Sequence, residues 1–262
     1  MCGKAEYTVI KYEAKDRVAT IALNNPAVMN ALDVAMVTEI VTAMDEAKDD
    51  ENIKCIVLTG VDKAFCAGGD IMTLLSATLA QGADMIRKEG EELIRAFMGN
   101  PKPIIAAVNG YAVGAGLSLV LIADYVVAKE SIKMGASFAK IGLIPDTGAL
   151  YLLPRHVGLH RAKEIVYTGK NYTARQMLEW GIGNKVVPDE EFEDAVKEAA
   201  GMFAGGAGLA MGYAKLNMHR ELDTSLHAAL EMDAAAQAIL MQTEDKNEGI
   251  QAFLEKRKAN FQ

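Results

Sequence analysis

Cysteine and histidine are scarce in this chain, which limits the sites that it can build. Among its 262 residues there are three cysteines and four histidines. The cysteines have no paired spacing, so we expect free thiols in a reducing compartment and no disulfide framework; they are Cys2, Cys55 and Cys66. The histidines lack metal-ligand spacing supported by carboxylates, so we expect no metal site; they are His156, His160, His219 and His227.

Positive charge is also in short supply. Lysine and arginine number 27 against 35 acidic residues, which gives a net charge of -8 and a pI near 5.1. Such a chain has no broad basic face for nucleic acid. The longest apolar run, residues 112–123, is too short to span a bilayer, and the first residues lack the apolar core of a signal peptide. We expect a cytoplasmic protein with neither a nucleic-acid nor a membrane partner.

Hydrophobic residues make up 51% of the chain, enough for a sizeable core. Alternating segments at 7–13 and 18–23 predict an antiparallel hairpin, and the spacing of 31–49 predicts a helix. Three apolar strands, at 53–60, 104–108 and 125–128, each begin a strand-helix unit. Serial units of this kind imply an α/β fold with a parallel sheet.

The second half of the chain reads as mostly helical. Helical patterns cover 149–156, 161–167, 174–180 and 192–203, with short strands at 132–135 and 185–188. From Gly208 onward the chain is rich in Met and Ala and almost free of Pro and Gly. A stripe there predicts a core or a subunit interface; it consists of Leu222, Leu226, Ala229, Leu230 and Ala234.

One stretch between 72 and 100 carries many charges. It reads as helical with interruptions near Gln81–Gly82 and at Gly90. A mixed charge run on a helix is typical of a solvated face; the run here comprises Arg87, Lys88, Glu89, Glu91 and Glu92.

Two glycine turns follow apolar strands. One lies at Gly68-Gly69, and the other at Gly114-Ala115-Gly116 leads into the apolar segment 117–123. Small side chains leave backbone N–H groups open to a ligand at a helix start, which suits an anion or a developing oxyanion. Either turn alone is also compatible with an ordinary strand-to-helix connection. Together they could supply the two donors of an oxyanion hole.

Three segments carry a family resemblance. Residues 64–71 (AFCAGGDI), 102–116 (KPIIAAVNGYAVGAG) and 248–258 (EGIQAFLEKRK) resemble the crotonase, or enoyl-CoA hydratase/isomerase, superfamily. The resemblance covers about residues 7 to 261. It implies a spiral of repeated ββα units over 1–203 and a C-terminal helical trimerisation segment over 204–262. It also implies an acyl-CoA substrate, no additional cofactor, and a homotrimer or a hexamer built as a dimer of trimers.

The resemblance implies roles for particular residues. In the family, the two turns bind the thioester oxygen of an acyl-CoA, and by position the donating amides would be those of Gly69 and Ala115. Residues implied to contact the substrate are Ala27, Val28, Met29, Ala67, Gly68, Asp70, Ile71, Gly114, Ser118, Phe138 and Leu143. Phe253 and Lys256 would reach the CoA of a neighbouring subunit. The purely structural alternatives are a loop that leads into a helix at 27–29 and a solvated helix end at 256–258.

Hydratases of the family use two glutamates, and this chain lacks both. Ser118 and Phe138 occupy those positions, and neither can act as the required acid or base. Asp146 remains, in a segment IGLIPD similar to the double-bond isomerases of the family. There an acid at this position moves a proton between two carbons. Apolar Phe138, Leu143 and Ile144 would raise its pKa by desolvation.

Several alternatives stay open at this point. Asp146 could instead cap the helix that follows. Cys66 is expected to pack as a small hydrophobe, and Ser118 to pack or hydrogen-bond within its own helix. The leading hypothesis is an enoyl-CoA isomerase. Its rivals are a hydratase or hydrolase with water held on Asp146, and an acyl-CoA-binding scaffold without chemistry. The acyl group, and a second acid from 72–100, cannot be read from the sequence.

Overall fold

The computed structural model describes residues 6–261, so Cys2 lies outside the described residues. Ten strands are found there: β1 Ile10–Lys15, β2 Val18–Leu23, β3 Cys55–Gly60, β4 Ala64–Cys66, β5 Ile104–Val108, β6 Tyr111–Val113, β7 Tyr125–Lys129, β8 Lys133–Gly135, β9 Tyr172–Thr173 and β10 Lys185–Val187. The α-helices of this range are α1 Val34–Asp49, α2 Ile71–Ser76, α3 Leu79–Met85, α4 Glu91–Met98, α5 Ala115–Ile122, α6 Ala149–Thr168, α7 Ala174–Glu179, α8 Phe192–Ala204, α9 Gly208–Glu221, α10 Leu226–Leu240 and α11 Glu244–Glu255.

The strands form two sheets that the chain visits alternately. One has the order β1-β2-β3-β5-β7-β10, and the other β4-β6-β8-β9. Each successive unit gives its first strand to the larger sheet and its second to the smaller one, as β3 and β4, β5 and β6, then β7 and β8 do. Apart from the β1–β2 hairpin, the pairs of the larger sheet are parallel. The predicted α/β spiral of ββα units is confirmed.

The larger sheet is covered on both faces, which explains its apolar strands. All five residues of β5 are buried, as expected for a parallel strand between two layers. Ile104, Ala106 and Val108 pack in a cluster with α1 and α5. Ile105 and Ala107 pack on the other face with α8.

The charged stretch of 72–100 differs from its prediction. The chain breaks at Ala77–Thr78, where Thr78 and Gln81 form a capping box that starts α3. The expected interruption near Gln81–Gly82 is wrong, because α3 continues through both residues. Near Gly90 the helix does not stop but widens into a π-helical turn over Ile86–Gly90.

The C-terminal helices are joined to the core by a buried ion pair. The Nζ of Lys215, on α9, lies 2.6 Å from the Oδ2 of Asp124, which also accepts the Ile104 amide. Asp124 is therefore structural. Of the stripe predicted as core or subunit interface, Ala229 is buried in the isolated chain, whereas Leu226 is 77% exposed and Leu230 57%. Leu222 lies in the turn after α9, off the helix that carries those residues.

Two smaller expectations are confirmed. Cys55 and Cys66 are free and buried, and burial raises the pKa of each thiol to about 12. The segment with His156 and His160 is interrupted at Gly158, whose φ of 74° and ψ of 159° are not helical.

Within residues 6–261 no helix is long and apolar enough to cross a membrane.

Candidate active site

The two glycine turns lie side by side in the structure. They follow β4 and β6, which pair in parallel, so the ends of the two strands meet at one edge of the smaller sheet. Gly68 has a φ of 101°, and a Cβ there would lie 3.0 Å from the carbonyl oxygen of Val113 and 3.3 Å from the Ala115 nitrogen. Glycine is required at this position by both its backbone conformation and the close approach.

The amides of Gly69 and Ala115 are available to a ligand. Within the described part of the chain, neither donates a hydrogen bond to a backbone carbonyl outside regular helices and strands. Ala115 is the first residue of α5, where a helical amide has no partner four residues earlier. Gly69 precedes Asp70, whose side chain accepts the Thr73 amide at 2.8 Å and thereby caps α2. Two unpaired donors therefore lie in adjoining turns.

A cavity of roughly 290 Å³ opens in front of these amides. Its wall includes nine residues that the sequence nominated: Ala67, Gly68, Gly69, Ile71, Gly114, Ala115, Phe138, Leu143 and Asp146. Asp146 lies in the segment between β8 and α6. This segment thus brings Asp146 to the cavity that the glycine turns face.

Other nominated residues lie outside the cavity wall. The loop with Ala27, Val28 and Met29 is exposed but joined to the first glycine turn, since the Ala67 amide donates to the Met29 carbonyl at 3.1 Å. Asp70 is a helix cap rather than a cavity residue. Phe253 is 82% exposed at the far end of α11.

Asp146 is half-buried beside the cavity, and burial raises the pKa of its carboxyl. The Thr147 hydroxyl donates to its Oδ1 at 3.2 Å and opposes part of that rise. Of the three apolar neighbours predicted, Phe138 and Leu143 line the cavity. Ile144 does not, and it is 72% exposed. The predicted direction of the pKa shift is therefore confirmed, with two of the three neighbours in place.

The helix-cap interpretation of Asp146 is wrong. Helix α6 begins after Gly148, which has a left-handed backbone, and no side chain caps it. The carboxyl group of Asp146 is thus not needed to start the helix. Thr147, between the two, is buried with a φ of 48°, a conformation that costs energy in a β-branched residue and that clusters at functional sites.

Ser118 was expected to pack or to hydrogen-bond within its helix; it packs, but its hydrogen bond leaves the helix. It is fully buried, and its hydroxyl donates to the backbone carbonyl of Asp146 at 3.1 Å. It does not line the cavity, so its nominated role as a substrate contact is replaced by a role behind the site. The side chain reaches across 28 residues of sequence to hold the segment that carries the acid.

A family model described as enoyl-CoA hydratase/isomerase matches residues 13–262. The chain belongs to this family. It is therefore a member of the crotonase superfamily, and an enzyme of acyl-CoA chemistry. No group of His, Cys, Asp and Glu within residues 6–261 is arranged to hold a metal ion.

Individual relatives carry both activity names of the family. A Rhodobacter capsulatus protein named "probable enoyl-CoA hydratase" is 39% identical over 97% of this chain and 98% of its own. The 1,2-epoxyphenylacetyl-CoA isomerase of Escherichia coli is 33% identical over 93% and 94%. Among solved structures, an enoyl-CoA hydratase of Bacillus anthracis has a TM-score of 0.88 and 31% identity, over 97% of this chain and 99% of that one.

Among the cavity residues that the sequence did not nominate, Glu89 is the one with a carboxyl group. Glu89 lines the cavity, although its charged segment was predicted to be a solvated face. The prediction holds for Arg87, Lys88, Glu91 and Glu92, which are exposed. A signal was present, because Glu89 shares a helical stripe with Ile86, Gly90 and Leu93, all cavity residues.

The C-terminal cations are less free than the sequence suggested. Arg257 is bonded to Glu248, with 2.6 Å between Nη1 and Oε1, and to Glu255, also at 2.6 Å. Only Lys256 and Lys258 of this cluster are left as exposed cations outside that network. Lys256 ends α11 in a left-handed conformation. The local positive charge is therefore smaller than three side chains would provide.

Proposed function

We propose that this protein is an enoyl-CoA isomerase, which shifts a double bond within an acyl-CoA thioester. One observation carries the proposal: Asp146 lines the same cavity as the unpaired amides of Gly69 and Ala115, while the positions of the two hydratase glutamates hold Ser118 and Phe138. Ser118 is buried behind the site and Phe138 is part of its apolar wall. Neither can activate water.

The first step is enolisation. The amides of Gly69 and Ala115 donate hydrogen bonds to the thioester oxygen, where negative charge develops as a proton leaves the adjacent carbon. One such donor is typically worth roughly 3 to 4 kcal/mol in the transition state. In a 3-enoyl-CoA the proton removed lies between the carbonyl and the double bond, and its loss gives a dienolate.

The second step returns a proton to the far carbon. Asp146, as a carboxylate, has accepted the proton from C2. A carboxylic acid of the cavity wall, Asp146 itself or Glu89, then donates a proton to C4, and the double bond is left between C2 and C3. Burial favours the neutral acid and makes the carboxylate a stronger base, which suits proton removal from carbon. The apolar wall at Phe138 and Leu143 limits competing attack by water.

Hydration is the second candidate. It requires two groups, one that activates water and one that protonates carbon, and Glu89 places a second carboxyl in the cavity wall. Relatives named as hydratases favour it as well. Isomerisation is preferred because it needs no activated water, and because the segment IGLIPD is similar to that of the family's double-bond isomerases.

The deciding experiment is product analysis from a 3-enoyl-CoA. With the wild-type protein we expect a product of unchanged mass whose double bond has moved, as read by mass spectrometry and proton NMR. Asp146→Asn, which removes the base but no helix cap, should abolish this conversion. Asp194→Asn, an exposed position on α8, is the matched control and should keep full activity.

Other outcomes would refute the isomerase. A gain of one water would indicate the hydratase, and release of free CoA the hydrolase. Full activity in Asp146→Asn would assign the chemistry to another group. Tight CoA binding without turnover on any enoyl thioester would indicate a binding scaffold.

We also propose that the protein is a cytoplasmic homotrimer or hexamer. The free buried thiols suit a reducing compartment. In the isolated chain the last helix leaves Phe253 82% and Leu254 74% exposed. Such side chains favour burial against another subunit, where Phe253 and Lys256 would approach a neighbouring CoA.

A further inference from the structure

Glu89 is a carboxyl group on an apolar helix face. The stripe that it shares with Ile86 and Leu93 turns toward the cavity, and Leu93 is 1% exposed. No hydrogen bond or ion pair to the Glu89 carboxyl is found within residues 6–261. A half-buried carboxyl without a partner costs stability, so its position calls for a functional reason.

The π-helical turn brings this carboxyl close to the segment of Asp146. Gly90, the last residue of the turn, packs on Thr147, since a Cβ at Gly90 would lie 3.9 Å from the Thr147 Oγ1. Glu89 and Asp146 are the sequence neighbours of these two touching residues, and both line the same cavity. π-Helical turns of this kind occur frequently at functional sites.

The two carboxyls differ in their surroundings. Burial raises the pKa of Glu89, and the negative charges of Glu92 and Asp33 raise it further. For Asp146 the Thr147 hydroxyl acts in the opposite direction and stabilises the carboxylate. The other charged group on the cavity wall is Lys140, which is exposed. Burial thus raises the pKa of both carboxyls, and only the carboxylate of Asp146 also has a hydroxyl donor, which suits the base role. Glu89 is the other carboxyl on the cavity wall and is left for the acid role.

Glu89 also has access to solvent. It lines a second groove, of roughly 350 Å³, whose wall includes the exposed residues Ser76, Gln81 and Lys88. A carboxyl between the cavity and this groove can exchange its proton with bulk water on one side and deliver it on the other.

We propose that Glu89 is a second catalytic residue, the acid that protonates C4 of the dienolate after Asp146 has removed a proton from C2. This rests on the proposed isomerase function. The C2–H bond breaks and its proton goes to Asp146. The O–H bond of Glu89 breaks, its proton forms the new C4–H bond, and the double bond moves to C2–C3. Water then takes the proton from Asp146 and returns one to Glu89.

The test compares Glu89→Gln with Glu91→Gln, an exposed neighbour of equal charge. A 3-enoyl-CoA carrying deuterium at C2 is converted in light water, and NMR locates the label. In the wild type we expect no deuterium at C4, because a different group supplies that proton. Glu89→Gln should isomerise at least about 100-fold more slowly. It should keep exchange of C2 hydrogen with solvent, since Asp146 still forms the dienolate. Glu91→Gln should match the wild type.

Each other result would overturn the proposal in a recognisable way. Deuterium carried from C2 to C4, with normal activity in Glu89→Gln, would show that Asp146 moves the proton alone. Equal loss of isomerisation and of C2 exchange would make Glu89 a binding or structural residue. A wild type that exchanges C2 hydrogen without moving the double bond would refute the isomerase itself. In that case both proposals fail, whereas the first two results refute only the role of Glu89.

Discussion

The buried hydroxyl of Ser118 donates a hydrogen bond to the backbone carbonyl of Asp146, with 3.1 Å between the oxygens. The same carbonyl accepts the Ala149 amide at 2.9 Å. Helix α5, whose first amide belongs to the proposed oxyanion pair, is thereby tied to the segment that carries the proposed acid. This bond is a direct link between the supports of the two proposed catalytic parts.

Removal of the Ser118 hydroxyl should therefore lower turnover without affecting binding. For Ser118→Ala we expect kcat to fall about tenfold with KM nearly unchanged, because small displacements of a catalytic group reduce the rate steeply. A stability loss of about 1 kcal/mol should accompany it, the usual net value of one hydrogen bond. Steady-state kinetics and urea unfolding measure the two effects. A stability loss with unchanged kcat would leave Ser118 a purely structural residue.

The first glycine turn should not tolerate a side chain. Gly68→Ala places a Cβ 3.0 Å from the Val113 carbonyl at a φ of 101°, so we expect at least about 1 to 2 kcal/mol of lost stability and severe loss of activity. Gly201→Ala, inside α8 with open space around its Cβ, is the control and should stabilise by about 0.5 to 1 kcal/mol. Thermal unfolding and activity assays compare the pair. Normal activity in Gly68→Ala would argue against a close role for this turn.

Asp146 should destabilise the folded protein at neutral pH. Its folded pKa is raised by burial, so folding favours the protonated form, and stability falls as the pH rises from the unfolded pKa through the folded one. Asp146→Asn removes that cost, and we expect its Tm to exceed the wild-type Tm by about 1 to 3 °C at pH 7. The gain should shrink below the unfolded pKa, where both states are protonated. Calorimetry across pH measures it, and an equal gain at all pH values would exclude this origin.

The exposed residues of the last helix should be buried by assembly. We expect a mass of three or six chains in sedimentation equilibrium, and a smaller assembly for a Phe253→Asp variant, whose charge replaces an 82% exposed phenyl ring. Leu159→Asp, at a residue 61% exposed on the segment after Gly158, offers a matched control with the same introduced charge. A monomeric wild type would contradict the assembly, as would a Phe253→Asp variant that keeps the wild-type mass.

The sequence alone determined the architecture and the two donor turns. Apolar strands such as Ile104–Val108 and the glycines at 68 and 114 are local signals. The hydrophobicity of a short segment and the need for glycine at a positive φ can both be read from neighbouring residues in the sequence. Asp146 was found through the family resemblance, as the one acid in its motif.

The tertiary structure decided how those residues work together. Whether Asp146 caps a helix or faces a cavity depends on the start of α6 at Gly148. The partner of Ser118 lies 28 residues away, and periodicity within a helix cannot indicate it. Glu89 was assigned to solvent because its neighbours are charged, whereas the packing of the Ile86–Gly90 turn beside Thr147 places it in the wall of the cavity. Contacts between segments distant in sequence set these three roles, since desolvation and hydrogen bonding depend on what surrounds a side chain in space.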